Sequence, residues 1–278
     1  MTNDRRLTLA RPDLADLALE GIVAAERYDA PKARQVAAPS ASLRKAPAPD
    51  AEQESQLLFG ERFAVLDVKD GFAWGQAARD GYVGWVAEAD LGPLGEPATH
   101  QVSVLRTYAF DEPNIKSRPA GLYSRGALVT VEAREGRFAK GAGTGWFVEA
   151  HLAPIGVRTS DDPAAVAQSF LGAPYQWGGR ESLGLDCSGL VQQALAACGK
   201  AVPRDTDMQF SFLRPIDAAE RRRGDLVFWK GHVAILLDPD TIVHANAHHM
   251  AVAVEPLAEA IARIDAAGVG EPTGWRRV

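Results

Sequence analysis

The sequence predicts an α+β domain at the C-terminal end of the chain, preceded by two small all-β barrels. Three observations carry that prediction. Residues 41–95 hold short β-like runs split by Gly60, Asp70-Gly71 and Asp80-Gly81, and Asp-Gly between apolar runs is a strong hairpin signal. A related pattern recurs over residues 96–156. From about residue 160 the texture changes to helical spacing first and strands afterwards, the order of an α+β domain. A chain of 278 residues has room for two domains or three small ones.

Residues 1–40 read as an extension that packs on the barrels or the last domain. The spacing of Leu14, Leu17, Ala18 and Ile22 predicts a short helix over residues 12–25. The first barrel, 41–95, takes its strands from runs at 56–59, 63–68, 72–77 and 82–87. In the second, 96–156, Thr144-Gly145-Trp146-Phe147-Val148 before His151-Leu152 echoes Asp80-Gly81-Tyr82-Val83-Gly84-Trp85-Val86 before Asp90-Leu91. The last domain, 157–278, opens at Asp161-Asp162-Pro163, a helix start with an early proline. A second helix opens at Asp186, with Leu190, Val191, Ala194, Leu195 and Cys198 on one stripe and Gly199 as its stop. Strands follow at 225–229, 232–237, 241–245 and 252–255, then a helix at 257–267.

Composition removes several classes of function. Hydrophobic content of 46% and charged content of 24% are those of an ordinary globular chain. The net charge of −6 argues against nucleic acid or an anionic membrane as partner. No run reaches the apolar length of a membrane span or a signal peptide, so the expected location is the cytoplasm. The two cysteines, Cys187 and Cys198, would stand about 16 Å apart on one helix, too far for a disulfide. No cofactor and no obligate protein partner is expected.

The chemistry centres on Gly184-Leu185-Asp186-Cys187-Ser188-Gly189-Leu190-Val191. It puts Cys187 in the first turn of a helix, where backbone N–H groups favour a thiolate. A cysteine nucleophile needs a base within hydrogen-bond reach and a polar group to orient that base. His232 opens one strand and His244 closes the next, and adjacent strands lie about 4.8 Å apart. If Pro239-Asp240 is a simple two-residue turn, His244 pairs with Ile235 and the two rings face opposite sides. Bringing them together needs another loop or a bulge. A metal reading of His244 and His248 with Cys187 uses a zinc-like spacing. It lacks the helical His-Glu-x-x-His pattern, and no carboxylate lies among these histidines in sequence.

Asp186-Cys187-Ser188-Gly189-Leu190-Val191, Gly224-Asp225-Leu226-Val227-Phe228, His232-Val233-Ala234-Ile235 and Val243-His244-Ala245 resemble the NlpC family of bacterial cell-wall peptidases. Tyr175-x-Trp177-Gly178-Gly179 and Pro203-Arg204-Asp205 also fit. The resemblance implies a papain-like cysteine peptidase domain behind SH3-like barrels, with Cys187 as nucleophile, His232 as general base and His244 as its orienter. Glu54 to Glu61 and Asp80 to Trp85 resemble the first barrel of the γ-D-glutamyl-L-diamino-acid endopeptidase subgroup. That subgroup cuts free murein peptides after L-Ala-γ-D-Glu. The resemblance implies that Glu54 binds the substrate ammonium and that Tyr82 lines the S2 pocket. Tyr175, Trp177, Asp186, Ser188, Arg204 and Asp205 would complete the substrate site. The first expectation is thus a peptide-recycling enzyme. The alternatives are an exported wall-remodelling hydrolase that uses its barrels as anchors, and a non-catalytic muropeptide-binding protein.

Overall fold

A computed structural model describes residues 4–278. The chain divides into two compact units, Met1–Ile155 and Gly156–Val278. No helix among the described residues is long and apolar enough to cross a membrane.

The N-terminal unit is built of strands. Its first sheet runs Gln53–Leu58, Ser40–Arg44, Val83–Ala87, Phe72–Ala77, Arg62–Lys69, Lys32–Val36, Leu91–Pro93 in spatial order. The sheet takes its opening strand, Lys32–Val36, from within the 1–40 segment. Asp70 and Gly71 sit at φ 51° and 79° and join Lys69 to Phe72, the two positive φ values that an Asp-Gly hairpin turn requires. The core holds Val36, Leu43, Leu57, Phe63, Tyr82 and Val86. A five-stranded and a three-stranded sheet follow over residues 100–154, around Val102, Ala109, Tyr123, Val129 and Phe147.

The helix expected over residues 12–25 does not form. The segment holds a two-residue strand at Ala15–Asp16, paired with Tyr28–Asp29, and a 3-10 turn at Leu17–Leu19, where the Asp16 side chain accepts the Ala18 N–H. Leu9 and Leu14 are buried with Trp74, Val83 and Trp85, and the Arg11 guanidinium lies 4.2 Å over the Trp74 ring. Docking two leucines and an arginine on that aromatic face outweighs a weak helical period, most of whose members stay exposed.

The C-terminal unit contains four helices: α1 (Pro163–Gln168), α2 (Cys187–Ala197), α3 (Thr206–Phe212) and α4 (Leu257–Ala266). Its sheet has six antiparallel strands: β1 (Arg214–Ile216), β2 (Leu226–Trp229), β3 (His232–Asp238), β4 (Thr241–Asn246), β5 (Ala251–Pro256) and β6 (Gly274–Arg277). Their order is β1-β6-β2-β3-β4-β5. Helices α1 and α2 pack on each other and against β3 and β4. Ala234, Leu236 and Ile242 pack with Leu257, Ala260 and Ile264 of α4.

One irregularity decides the site. Asp238 pairs with Thr241 across Pro239-Asp240, as a two-residue turn demands, but the register then shifts at Leu237. Beyond the bulge Leu236 faces Ile242 and Ile235 faces Val243. One extra residue in β3 therefore restores the parity that puts His232 and His244 on one face.

Candidate active site

Cys187 is the first residue of α2, and Asp186 is the cap that places it. The Asp186 carboxylate accepts the N–H of Gly189 at 2.7 Å and of Gly178 at 2.9 Å. Arg204 grips the same carboxylate through two nitrogens, at 2.9 and 2.6 Å, and donates to Ser188 Oγ at 2.7 Å. This bidentate pair is buried at both ends. A Cβ on Gly189 would fall 2.2 Å from the Gly179 carbonyl oxygen, so only glycine lets the helix approach the Tyr175–Gly179 turn. Asp186, Ser188 and Arg204 thus meet in one network that fixes the thiol. Asp205 stands next to it at the start of α3 and is half-buried.

The Val233 N–H donates to the Cys187 sulfur, which seats the thiol beside the opening of β3. The ladder between β3 and β4 covers Asp238 to Ile235, so this amide serves the thiol. His232 Nε2 lies 2.8 Å from His244 Nδ1. His244 is buried, and its Nε2 lies 2.6 Å from Glu255 Oε1. Glu255 in turn accepts a hydrogen bond from Arg263 of α4. Trp229 leans on the His232 ring at 5.7 Å between centroids. Tyr175 is half-buried and close enough for the Cys187 and Asp186 charges to act on its hydroxyl. Trp177, in the same turn, is 60% exposed.

Electrostatics favour a neutral resting pair. Burial pushes the Cys187 thiol up to about 12, helped by the Asp186 carboxylate and opposed by the Val233 and Ser188 amides and by Arg204. The expectation of a ready thiolate is corrected on this point: the helix N-terminus supplies donors, but desolvation outweighs them. Burial also pulls His232 down to about 3, with His244 and Arg263 adding to it and Glu255 opposing. Burial lowers His244 as well, against the hydrogen bond and charge of Glu255. Burial alone would raise Glu255, yet bonds from His244 and Arg263 bring it to about 2.

Sequence reasoning missed Glu255, Arg263 and Trp229. The statement that no carboxylate lies among the histidines holds along the chain but fails in space, because β5 runs beside β4 and pairs Glu255 with Ile242. The spacing-based metal set is corrected too. Among the described residues the donors that gather are His244, His249 and Glu255, with Cys187 and His248 outside the group. Hydrogen bonds occupy both His244 nitrogens, and the Arg263 guanidinium already neutralises the carboxylate.

In the N-terminal unit, Glu54 is largely buried and ion-paired with the exposed Arg5, Nη1 to Oε2 at 3.2 Å. The pairing raises the Arg5 guanidinium above its ordinary value. Tyr82 is 3% exposed and belongs to the core of the first sheet.

Residues 172–269 match the NlpC/P60 family, and residues 43–91 match the bacterial dipeptidyl-peptidase Sh3 domain. The C-terminal unit carries an NlpC/P60 domain. It therefore carries the domain of a family of cysteine peptidases that act on peptidoglycan, behind an SH3-like domain of the dipeptidyl-peptidase type. Dipeptidyl-peptidase 6 of Lysinibacillus sphaericus is 40% identical over 81 residues, 29% of this chain and 30% of that protein. Gamma-D-glutamyl-L-lysine dipeptidyl-peptidase of Bacillus subtilis is 26% identical over 230 residues, 75% of this chain and 77% of that protein. The fold is that of a solved NlpC/P60 family protein from Bacillus cereus, with TM-score 0.74 over 88% of this chain and 99% of that chain at 19% identity. An NlpC/P60 endopeptidase from Photobacterium damselae shares it at TM-score 0.60, 13% identity, over 88% of this chain and 71% of that one.

Proposed function

We propose that the protein is a γ-D-glutamyl-L-diamino-acid endopeptidase that hydrolyses free murein peptides bearing an unblocked N-terminal L-Ala. The supporting observation is the His232–His244 hydrogen bond, reached through the Leu237 bulge, with the buried Cys187 thiol seated beside the opening of the same strand. In this reading His232 takes the thiol proton as Cys187 attacks the γ-carbonyl of D-Glu. His232 then protonates the leaving amine of the diamino acid. Water, deprotonated by the same ring, hydrolyses the thioester and frees L-Ala-γ-D-Glu.

Glu54 and Tyr82 supply the amine and second-residue subsites in this reading. A buried ammonium needs a carboxylate, because leaving either charge unpaired costs about 3–5 kcal/mol. Glu54 would then receive the free amine of the peptide, and the ammonium would displace Arg5. The similarity to the Bacillus subtilis enzyme over most of both chains supports this specificity. Action on small free peptides in the cytoplasm, as part of cell-wall peptide recycling, belongs to the same reading.

Incubation with L-Ala-γ-D-Glu-L-Lys and its diaminopimelate analogue, followed by mass spectrometry, should give the dipeptide and the free diamino acid. Cys187→Ala should give none. Release of reducing sugar-linked fragments from intact sacculi, with the free tripeptides untouched, would reject the reading in favour of a wall hydrolase.

A further inference from the structure

Two hydrogen-bonded imidazoles can pass their protons in either direction, and only one direction leaves a base for the thiol. His232 Nε2 and His244 Nδ1 lie 2.8 Å apart, so one donates and the other accepts. On the far side His244 Nε2 lies 2.6 Å from Glu255 Oε1. An ionised carboxylate only accepts, so His244 carries its proton on Nε2 and its Nδ1 is a bare acceptor. His232 must then donate from Nε2, and its Nδ1 keeps the lone pair that can receive the Cys187 proton. We propose that Glu255 is a positioning residue that sets the proton direction through both histidines, and that Arg263 holds Glu255 in place. The proposal rests on the reading of Cys187 and His232 as the reacting pair.

The same carboxylate acts again when His232 becomes an imidazolium. That cation forms in a desolvated place, where an acceptor chain ending in a negative charge is worth more than in water. A histidine orienter by itself brings no charge, so Glu255 supplies from β5 what an aspartate orienter would supply directly. The groups that bear on these rings are Glu255 and Arg263 on both, His244 on His232, and His249, from the loop after β4, on His244; the Cys187 thiol sits beside the opening of β3. Deleting the Glu255 charge disfavours every more-protonated state, so both limbs of the pH profile should move to lower pH. Deleting the Arg263 charge should move them the other way.

The experiment labels histidine nitrogen with 15N in the full chain and reads both rings by NMR near neutral pH, beside kcat and KM profiles for the γ-D-glutamyl tripeptide. Expected are Nε2–H tautomers for His232 and His244 in the wild type. Glu255→Gln should lower kcat by about 10–100-fold, with KM within about threefold, and shift both limbs to lower pH. Glu255→Asp should recover part of the loss, and Arg263→Gln should shift the limbs upward. An Nδ1–H tautomer on either ring would overturn the proposal, and so would a Glu255→Gln profile whose limbs stay in place. If the wild type cuts no γ-glutamyl peptide, the peptidase reading fails by itself. The tautomers, and the pH dependence of Cys187 alkylation by iodoacetamide, still decide the role of Glu255.

Discussion

Arg204 carries one of the heaviest duties of any single side chain in the C-terminal unit. It is 1% exposed and donates to both Asp186 oxygens and to Ser188. Arg204→Met should therefore cost about 3–5 kcal/mol of stability, because it leaves the Asp186 charge buried without its cation. Thermal or urea unfolding measures this, and a loss under 1 kcal/mol would mean that Asp186 is adequately held by the Gly178 and Gly189 amides. Arg5 presents the opposite case, an exposed cation on a largely buried carboxylate. If Glu54 receives the substrate ammonium, Arg5→Gln should lower KM for free-amine peptides several-fold and leave kcat unchanged. A raised KM would show that Arg5 assists binding.

At the scale of elements, the Leu237 bulge turns two strands into a site. Deleting Ala234, with the bulge kept, would carry His232 to the face opposite His244, so the variant should be inactive at every pH even where circular dichroism shows it folded. Retained activity would mean that the histidine pair is dispensable. The same bulge marks the limit of what the sequence shows. Cys187, His232 and His244 are recognisable in order, and Asp70-Gly71 forms the turn its chemistry demands. A one-residue shift inside an apolar strand leaves no trace in a period-two pattern, however. Glu255 alternates with Val252 and Val254 as a solvent-facing residue would, and its partner His244 lies on the preceding strand, eleven residues back. Residues 12–25 mislead for another reason: the Trp74–Trp85 face, formed by distant residues, decides their conformation. α3 and β6 were not anticipated, since Thr206–Phe212 places Met208, Phe210 and Phe212 on alternate positions and hides its helical period.

At the scale of the whole molecule, the buried neutral histidines make stability depend on pH. His232 titrates near 3 in the fold and near 6.5 when unfolded, and His244 is also lowered. The unfolded chain therefore binds more protons below 6.5, and stability falls as pH drops from 6.5 toward 3, by at most about 1.4 kcal/mol per pH unit for each such ring. Glu255, depressed from 4.5 to about 2, adds a further loss as pH falls from 4.5 toward 2. Melting temperatures between pH 7 and pH 4 check this, and His232→Gln should flatten the upper part of the curve. A melting temperature independent of pH over that range would mean that the rings are solvated. The central claim concerns which peptides are cut, and one comparison tests it most directly. Values of kcat/KM for L-Ala-γ-D-Glu-L-Lys and its N-acetylated form should differ by at least about 100-fold, as expected for a buried charge left without a partner, and Glu54→Gln should erase most of that difference. Equal cleavage of the two peptides by the wild type would contradict the account.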